Sequence, residues 1–214
     1  MSLQFQNTVF EPSLTVAEIK DSKLTNAQGK ALFQFFKTHP LFRWQDANND
    51  CEDRANAVCL ALDAWGIANY KGWVFSESFL NRGMGCLRNN WGYHVAAMLA
   101  IAEGNGLRFY IIDPATLATL ETIEQWANGA TETASSYYCI TTGDTYIFSP
   151  GNIAPGTWYC RNRQNFKWTM QGLAGINGVT QMGKAQLVFR KKHIKKWEAE
   201  FKGLQQHKPE LLRH

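Results

Sequence analysis

Apolar positions change period along the chain, and each period predicts an element. Ala27, Ala31, Leu32, Phe35 and Phe36 recur at helical spacing behind Thr25 and Gln28, which stand three apart as a capping box requires; the pattern stops at Pro40. A polar loop, PLFRWQDANND, leads into a second helix over CEDRANAVCLALDAW. Its apolar positions 51, 55, 58, 59 and 62 share one face, and Gly66 ends it. KGWVFSESFL reads as part strand, and Gly83 and Gly85 mark a loop. WGYHVAAMLAIAEGNGLRFYIIDP then predicts a hairpin: Tyr93 to Ala102 and Leu107 to Asp113 flank the turn Glu103-Gly104-Asn105-Gly106, and Pro114 stops the second run. Both runs are apolar on both faces, which predicts a central pair of strands covered on each side. A second hairpin is expected over Tyr137 to Thr141 and Thr145 to Phe148 around Gly143-Asp144. Strand fragments are expected near Gly156 to Arg161 and Phe166 to Thr169 in a Gly- and Asn-rich region. Helical spacing returns at Leu187, Ile194, Trp197, Phe201 and Leu204.

No repeat, low-complexity tract or Pro/Ser-rich linker divides this pattern. The expectation is a single α+β domain, with a helical N-terminal part over 1–40, a core over 41–150 and a basic amphipathic helix over 184–206.

Composition narrows the class. Of 214 residues, 45% are hydrophobic and 19% charged, and eight Trp, seven Tyr and thirteen Phe supply a core that needs no metal or disulfide staple. The longest uncharged apolar run, Val95 to Ala102, is far short of a bilayer span, and the first residues lack a signal-peptide pattern. Five cysteines are an odd number without a C-x-x-C pair or zinc-ligand spacing, so at least one thiol is free within the monomer. One or two disulfides remain open. From Lys184 onward nine Lys/Arg face three Glu, which puts +6 in the last 31 residues and leaves −2 for the other 183, out of a total of +4. Such a segment reads first as a helix with a solvated cationic face and second as a binding surface. Nucleic acid is therefore disfavoured as the main partner.

Two features carry chemistry. Cys51 falls in the first turn of its helix, behind Asn48, Asn49 and Asp50 as caps; helix-terminal N–H groups and the dipole there favour a thiolate. Cys59, two turns deeper on the same stripe, reads as a core thiol. In the hairpin, Ala102 faces Leu107, so cross-strand partners sum to 209; His94 and Asp113 then become diagonal neighbours on one face, within side-chain reach. A one-residue slip would separate them. A helix-start cysteine with such a pair has the composition of a nucleophile, a general base and the group that orients the base. No G-x-G-x-x-G or Walker sequence occurs, and neither cofactor nor metal is expected.

Asn49-Asp50-Cys51-Glu52-x-Arg54-Ala55, Gly92-Tyr93-His94-Val95-Ala96 and Ile111-Ile112-Asp113-Pro114-Ala115, with an intervening Trp73-Val74-Phe75, resemble the bacterial protein-glutamine glutaminases over roughly residues 44 to 150. The resemblance implies a papain-like, transglutaminase-core-like fold: a nucleophile-bearing helix packed on an antiparallel sheet, here with additional N- and C-terminal helices. It implies catalysis by Cys51, His94 and Asp113, a protein or peptide substrate bearing glutamine, and a secreted or delivered bacterial protein. Papain-like enzymes place a side-chain oxyanion donor where Gln45 stands, and Trp44 and Trp91 are candidate walls for the glutamine methylenes. A cysteine protease or transglutaminase of the same fold, and a non-catalytic module binding through the basic C-terminal helix, are the alternatives. The sequence leaves the oligomeric state open.

Overall fold

Alternating short strands and amphipathic helices fold into a six-stranded mixed sheet with helices on both faces and a separate two-stranded sheet. The computed structural model describes residues 3–5, 13–44, 51–81, 83, 85, 87–131, 136–149, 156–159, 163–174 and 184–212. In chain order the elements are β1 (Leu3–Phe5), α1 (Asn26–Thr38), α2 (Cys51–Ala64), β2 (Tyr70–Ser76), α3 (Glu77–Leu80), β3 (Tyr93–Glu103), β4 (Gly106–Ile112), β5 (Glu121–Thr122), α4 (Ile123–Ala130), β6 (Ser136–Thr142), β7 (Thr145–Ser149), β8 (Gly156–Tyr159), α5 (Arg163–Leu173) and α6 (Lys184–Gln206). The main sheet runs β1-β6-β2-β3-β4-β5, parallel between β1 and β6 and antiparallel elsewhere.

Local signals account for the helix ends. Thr25 accepts from the Gln28 backbone N–H and the Gln28 side chain returns the bond, so α1 starts at its capping box. Thr122 and Gln125 do the same for α4. Gly66 ends α2 at φ +73°, in the left-handed region that suits glycine.

Strand parity divides the core. Odd residues of β3 (Ala97, Leu99, Ile101) pack with α1, α2, α5 and α6, around Leu32, Phe36, Val58, Leu62, Met170 and Phe201. Even residues (Ala96, Met98, Ala100) face α4, with Val74, Ile111, Ile123 and Trp126. Gly29 brings α1 close to the sheet: a Cβ there would lie 2.8 Å from Ile101 Cδ1.

Coverage differs from the expectation in one respect. β2 is buried along its whole length and β3 along most of it, but only the C-terminal half of β4 is covered. Lys71 of β2 is fully buried and donates to Asn56 Oδ1 and the Thr145 carbonyl, so a charged residue sits in this strand without exposing it.

Two expected elements are corrected. β6 and β7 do not form a hairpin: β6 pairs with β2 on one side and, over Ser136–Tyr138, with β1 on the other, and the chain leaves the sheet at Gly143-Asp144 to pair β7 with β8. Tyr146 of β7 then donates to Asp53 of α2 at 2.8 Å. Phe166 to Thr169 belong to helix α5, whose Phe166, Met170 and Leu173 follow helical spacing into the core beside Phe201. Cys59 and Cys139 are buried, while Cys86 and Cys160 lie outside the described residues. In α6, Phe201 and Leu204 are buried and Ile194 and Trp197 pack against the core; Lys191, Lys192, Lys195, Lys196 and Lys202 are exposed. The Leu187 side chain lies outside the described residues. Among the described residues no helix is long and apolar enough to cross a membrane.

Candidate active site

The β3–β4 ladder sets the site. Pairing runs from Glu103–Gly106 to Ala97–Ile112, each pair summing to 209. β4 stops at Ile112 while β3 continues to Tyr93, and the chain turns away as the Thr116 and Leu117 N–H groups donate to the Asp113 carbonyl at 3.1 and 2.9 Å. This leaves a notch beside residues 94–96 of β3.

His94 stands on the α4 face, its ring 4.8 Å from that of Trp91 and 5.5 Å from that of Trp126. Its Nε2 lies 2.8 Å from Asp113 Oδ2, and both residues are almost fully buried. The same oxygen accepts from Trp126 Nε1 at 3.0 Å and from the Thr116 hydroxyl. Burial opposes ionisation of Asp113, but the His94 charge and these hydrogen bonds outweigh it and hold the carboxyl below its ordinary value. With Nε2 committed to Asp113, Nδ1 is the ring nitrogen left for other chemistry.

Cys51 reaches the notch from the opposite face, at the start of α2. A small pocket of about 10 Å³, room for about one water, is lined by Cys51, His94 and Asp113 together with Trp44, Arg54 and Val95. The three candidate residues thus line one small pocket although α2 and the His94 side chain belong to different faces. The thiol donates to Glu52 Oε2 at 3.3 Å and the Val95 N–H donates to the sulfur. Burial pushes the Cys51 thiol well above its ordinary value, the Glu52 charge adds to the rise, and the Val95 hydrogen bond only partly opposes it. The thiolate expected from the helix start is therefore disfavoured in this arrangement. Replacing Glu52 by Gln removes one anion beside the sulfur and lowers the thiol pKa. The rate–pH curve for alkylation of Cys51 should move to lower pH, with a rate near neutrality roughly threefold to tenfold higher. An unmoved curve would show that the carboxylate does not govern the thiol.

Trp44 lines this pocket, stacked on Phe42 (5.4 Å, 7°) and anchored by a 2.7 Å bond from its Nε1 to the Phe36 carbonyl. Arg54 lies 5.7 Å over its ring and donates to the Phe42 and Arg43 carbonyls. Trp91 is not a wall of the Cys51 pocket; it borders a second cleft behind His94. Gln45 and the expected caps Asn48, Asn49 and Asp50 lie outside the described residues. Trp126, Thr116 and the role of Glu52 escaped the sequence reading. Thr116 adjoins a quoted motif and Glu52 lies within one, but only their side-chain directions connect them to the site. Among the described residues no group of three or more His, Cys, Asp or Glu side chains is arranged to hold a metal ion.

The sequence profile of a family described as glutaminase matches residues 18–130, more than half of the chain. The chain belongs to this glutaminase family. It is accordingly an enzyme, a hydrolase. The glutaminase shares its fold with two solved structures. The NMR structure of protein-glutaminase from Chryseobacterium proteolyticum has a TM-score of 0.52 at 22% identity, covering 77% of this chain and 95% of that one. The crystal structure of a pro-protein-glutaminase has a TM-score of 0.53 at 20% identity, covering 81% and 68%. This likeness agrees with the expected transglutaminase-core-like architecture, a helix carrying the candidate nucleophile against a mainly antiparallel sheet. No curated protein matches the sequence significantly.

Proposed function

We propose that this glutaminase is a single-domain enzyme that hydrolyses the side-chain amide of protein-bound glutamine, with Cys51 as nucleophile, His94 as general base and acid, and Asp113 as the group that orients His94. The observation that carries the reading is the 2.8 Å His94–Asp113 pair lining one pocket with Cys51 at the start of α2. The protein-glutaminases that share the fold lend it support.

In this mechanism His94 Nδ1 takes the thiol proton as the Cys51 sulfur bonds to the amide carbon. Buried Asp113 stabilises the imidazolium that results. The flanking indoles of Trp91 and Trp126 offer the ring cation their π faces. The carbonyl oxygen becomes an oxyanion, for which the Cys51 N–H at the helix start is the simplest donor. Collapse breaks the C–N bond, His94 protonates the departing ammonia, and a thioester remains on the sulfur. Water, deprotonated by His94, attacks the thioester and releases glutamate and the thiol. The thiol's raised pKa fits a sulfur that is deprotonated only as the imidazole accepts its proton. The narrow pocket favours the tip of an extended side chain over a main-chain amide, which carries a substituted Cα on each side. Incubation with a glutamine-rich protein should release ammonia and raise the mass of modified peptides by about 1 Da per site, with the main chain intact. Chain cleavage or lysine cross-linking without that mass change would refute the deamidase assignment in favour of another acyl-transfer reaction.

A further inference from the structure

The hydrogen-bond partner of the Cys51 thiol is a carboxylate. Its sulfur lies 3.3 Å from Glu52 Oε2, while the His94 imidazole is bonded to Asp113. Consecutive residues on a helix do not face each other, so this contact requires the Glu52 side chain to be held back toward the sulfur. Tyr93 holds it: the Tyr93 hydroxyl donates to the other oxygen, Glu52 Oε1, at 3.4 Å. The Tyr93 ring is itself fixed among those of Trp73, Phe75 and Phe79, at 6.0 to 6.1 Å. One oxygen is thus anchored and the other aimed at the nucleophile. Cys51, Glu52 and Tyr93 are each half-buried, open to an incoming side chain.

Such a carboxylate is a burden to the thiol, whose ionisation it opposes. It has a use if it serves the substrate. A glutamine carboxamide carries two N–H donors beside its carbonyl carbon, whereas the glutamate product offers only oxygens there. A carbon poised for attack stands about 3 to 3.5 Å from the sulfur. Its nitrogen then comes within hydrogen-bond reach of an oxygen that is itself 3.3 Å from that sulfur.

We propose that Glu52 is a substrate-binding residue that reads the amide: its Oε2 accepts an N–H of the target carboxamide, in exchange for the thiol proton that passes to His94, and repels the carboxylate of the product. The assignment rests on the deamidase reading above. In the tetrahedral adduct the carboxylate engages an N–H and not the nitrogen lone pair, which stays open to the proton from His94. The same charge that selects an amide over an ester or an acid helps to expel glutamate.

The test uses the full chain and two peptides that differ in one group, glutamine or the γ-methyl ester of glutamate, read by release of ammonia or methanol. Glu52→Ala should lower the amide-to-ester ratio of kcat/KM about tenfold or more relative to wild type, the loss of a hydrogen bond to a charged acceptor. Tyr93→Phe, which removes the hydroxyl that aims the carboxylate, should lower the ratio about twofold to fivefold. The product peptide carrying glutamate should inhibit Glu52→Ala at lower concentration than it inhibits wild type. A purely structural role would depress both substrates alike. An unmoved ratio in Glu52→Ala that is folded by circular dichroism overturns the assignment while leaving the deamidase reading standing. No ammonia from the glutamine peptide with wild-type enzyme overturns both.

Discussion

Cys51→Ser is expected to abolish measurable ammonia release, a loss of roughly ten-thousandfold or more, in a protein whose fold is unchanged. The substitution keeps the shape of the side chain and the Val95 N–H that donates to it. It replaces a thiol by an alcohol whose anion is far less accessible, beside a carboxylate and in a buried pocket that already oppose ionisation of sulfur. His94 is then asked to remove a proton that its imidazole cannot hold against so basic a partner. Ammonia release at the wild-type rate from folded Cys51→Ser, with His94 and Asp113 intact, would remove Cys51 from the mechanism.

Asp113→Asn should lower turnover by about a hundredfold to ten-thousandfold with little change in stability. Three donors converge on one oxygen of Asp113, and an amide oxygen in the same place can still accept from the Trp126 indole and the Thr116 hydroxyl. What the amide lacks is the charge that stabilises the imidazolium and the acceptor-only chemistry that fixes the proton on His94 Nε2. Circular dichroism and a thermal melt should resemble wild type while ammonia release falls. Activity retained in Asp113→Asn but lost in Cys51→Ser would reduce the machinery to a Cys–His dyad and make Asp113 a structural partner.

Most of this site was legible because its determinants are local. The start of α1 follows from Thr25 and Gln28, and the His94–Asp113 pairing follows from one short turn whose geometry fixes every later partner. The failures have a common physical origin in contacts between distant segments. The turn at Gly143-Asp144 looks the same whether β7 returns along β6 or leaves the sheet; β7 leaves it, and its Tyr146 bonds Asp53 of α2, far away in the chain. Phe166 to Thr169 read as a strand because aromatic and β-branched residues crowd a short window, and only Phe201 and Met170 in the folded core reveal the helical stripe. The thiol depends on contacts of the same kind. The helix start favours an anion, but enclosure of the sulfur and the direction of the Glu52 side chain, neither of them visible in a motif, push the thiol the other way. Trp126 is a plain core tryptophan in sequence, and its tie to Asp113 depends on which side of the sheet α4 covers.

The long β3–β4 hairpin also makes the chemistry depend on counting. From the turn at Gly104 and Asn105 to His94 is about ten residues of strand, about 30 Å, and from Glu103–Gly106 to Ala97–Ile112 each strand measures the other residue by residue. One residue inserted in either strand, absorbed as a slip and not as a bulge, would carry Asp113 to the wrong side of the sheet from His94 while leaving both residues, their motifs and most of the core composition intact. In the proposed mechanism, length between turn and site is therefore as much a part of the specification as the identities of the two side chains.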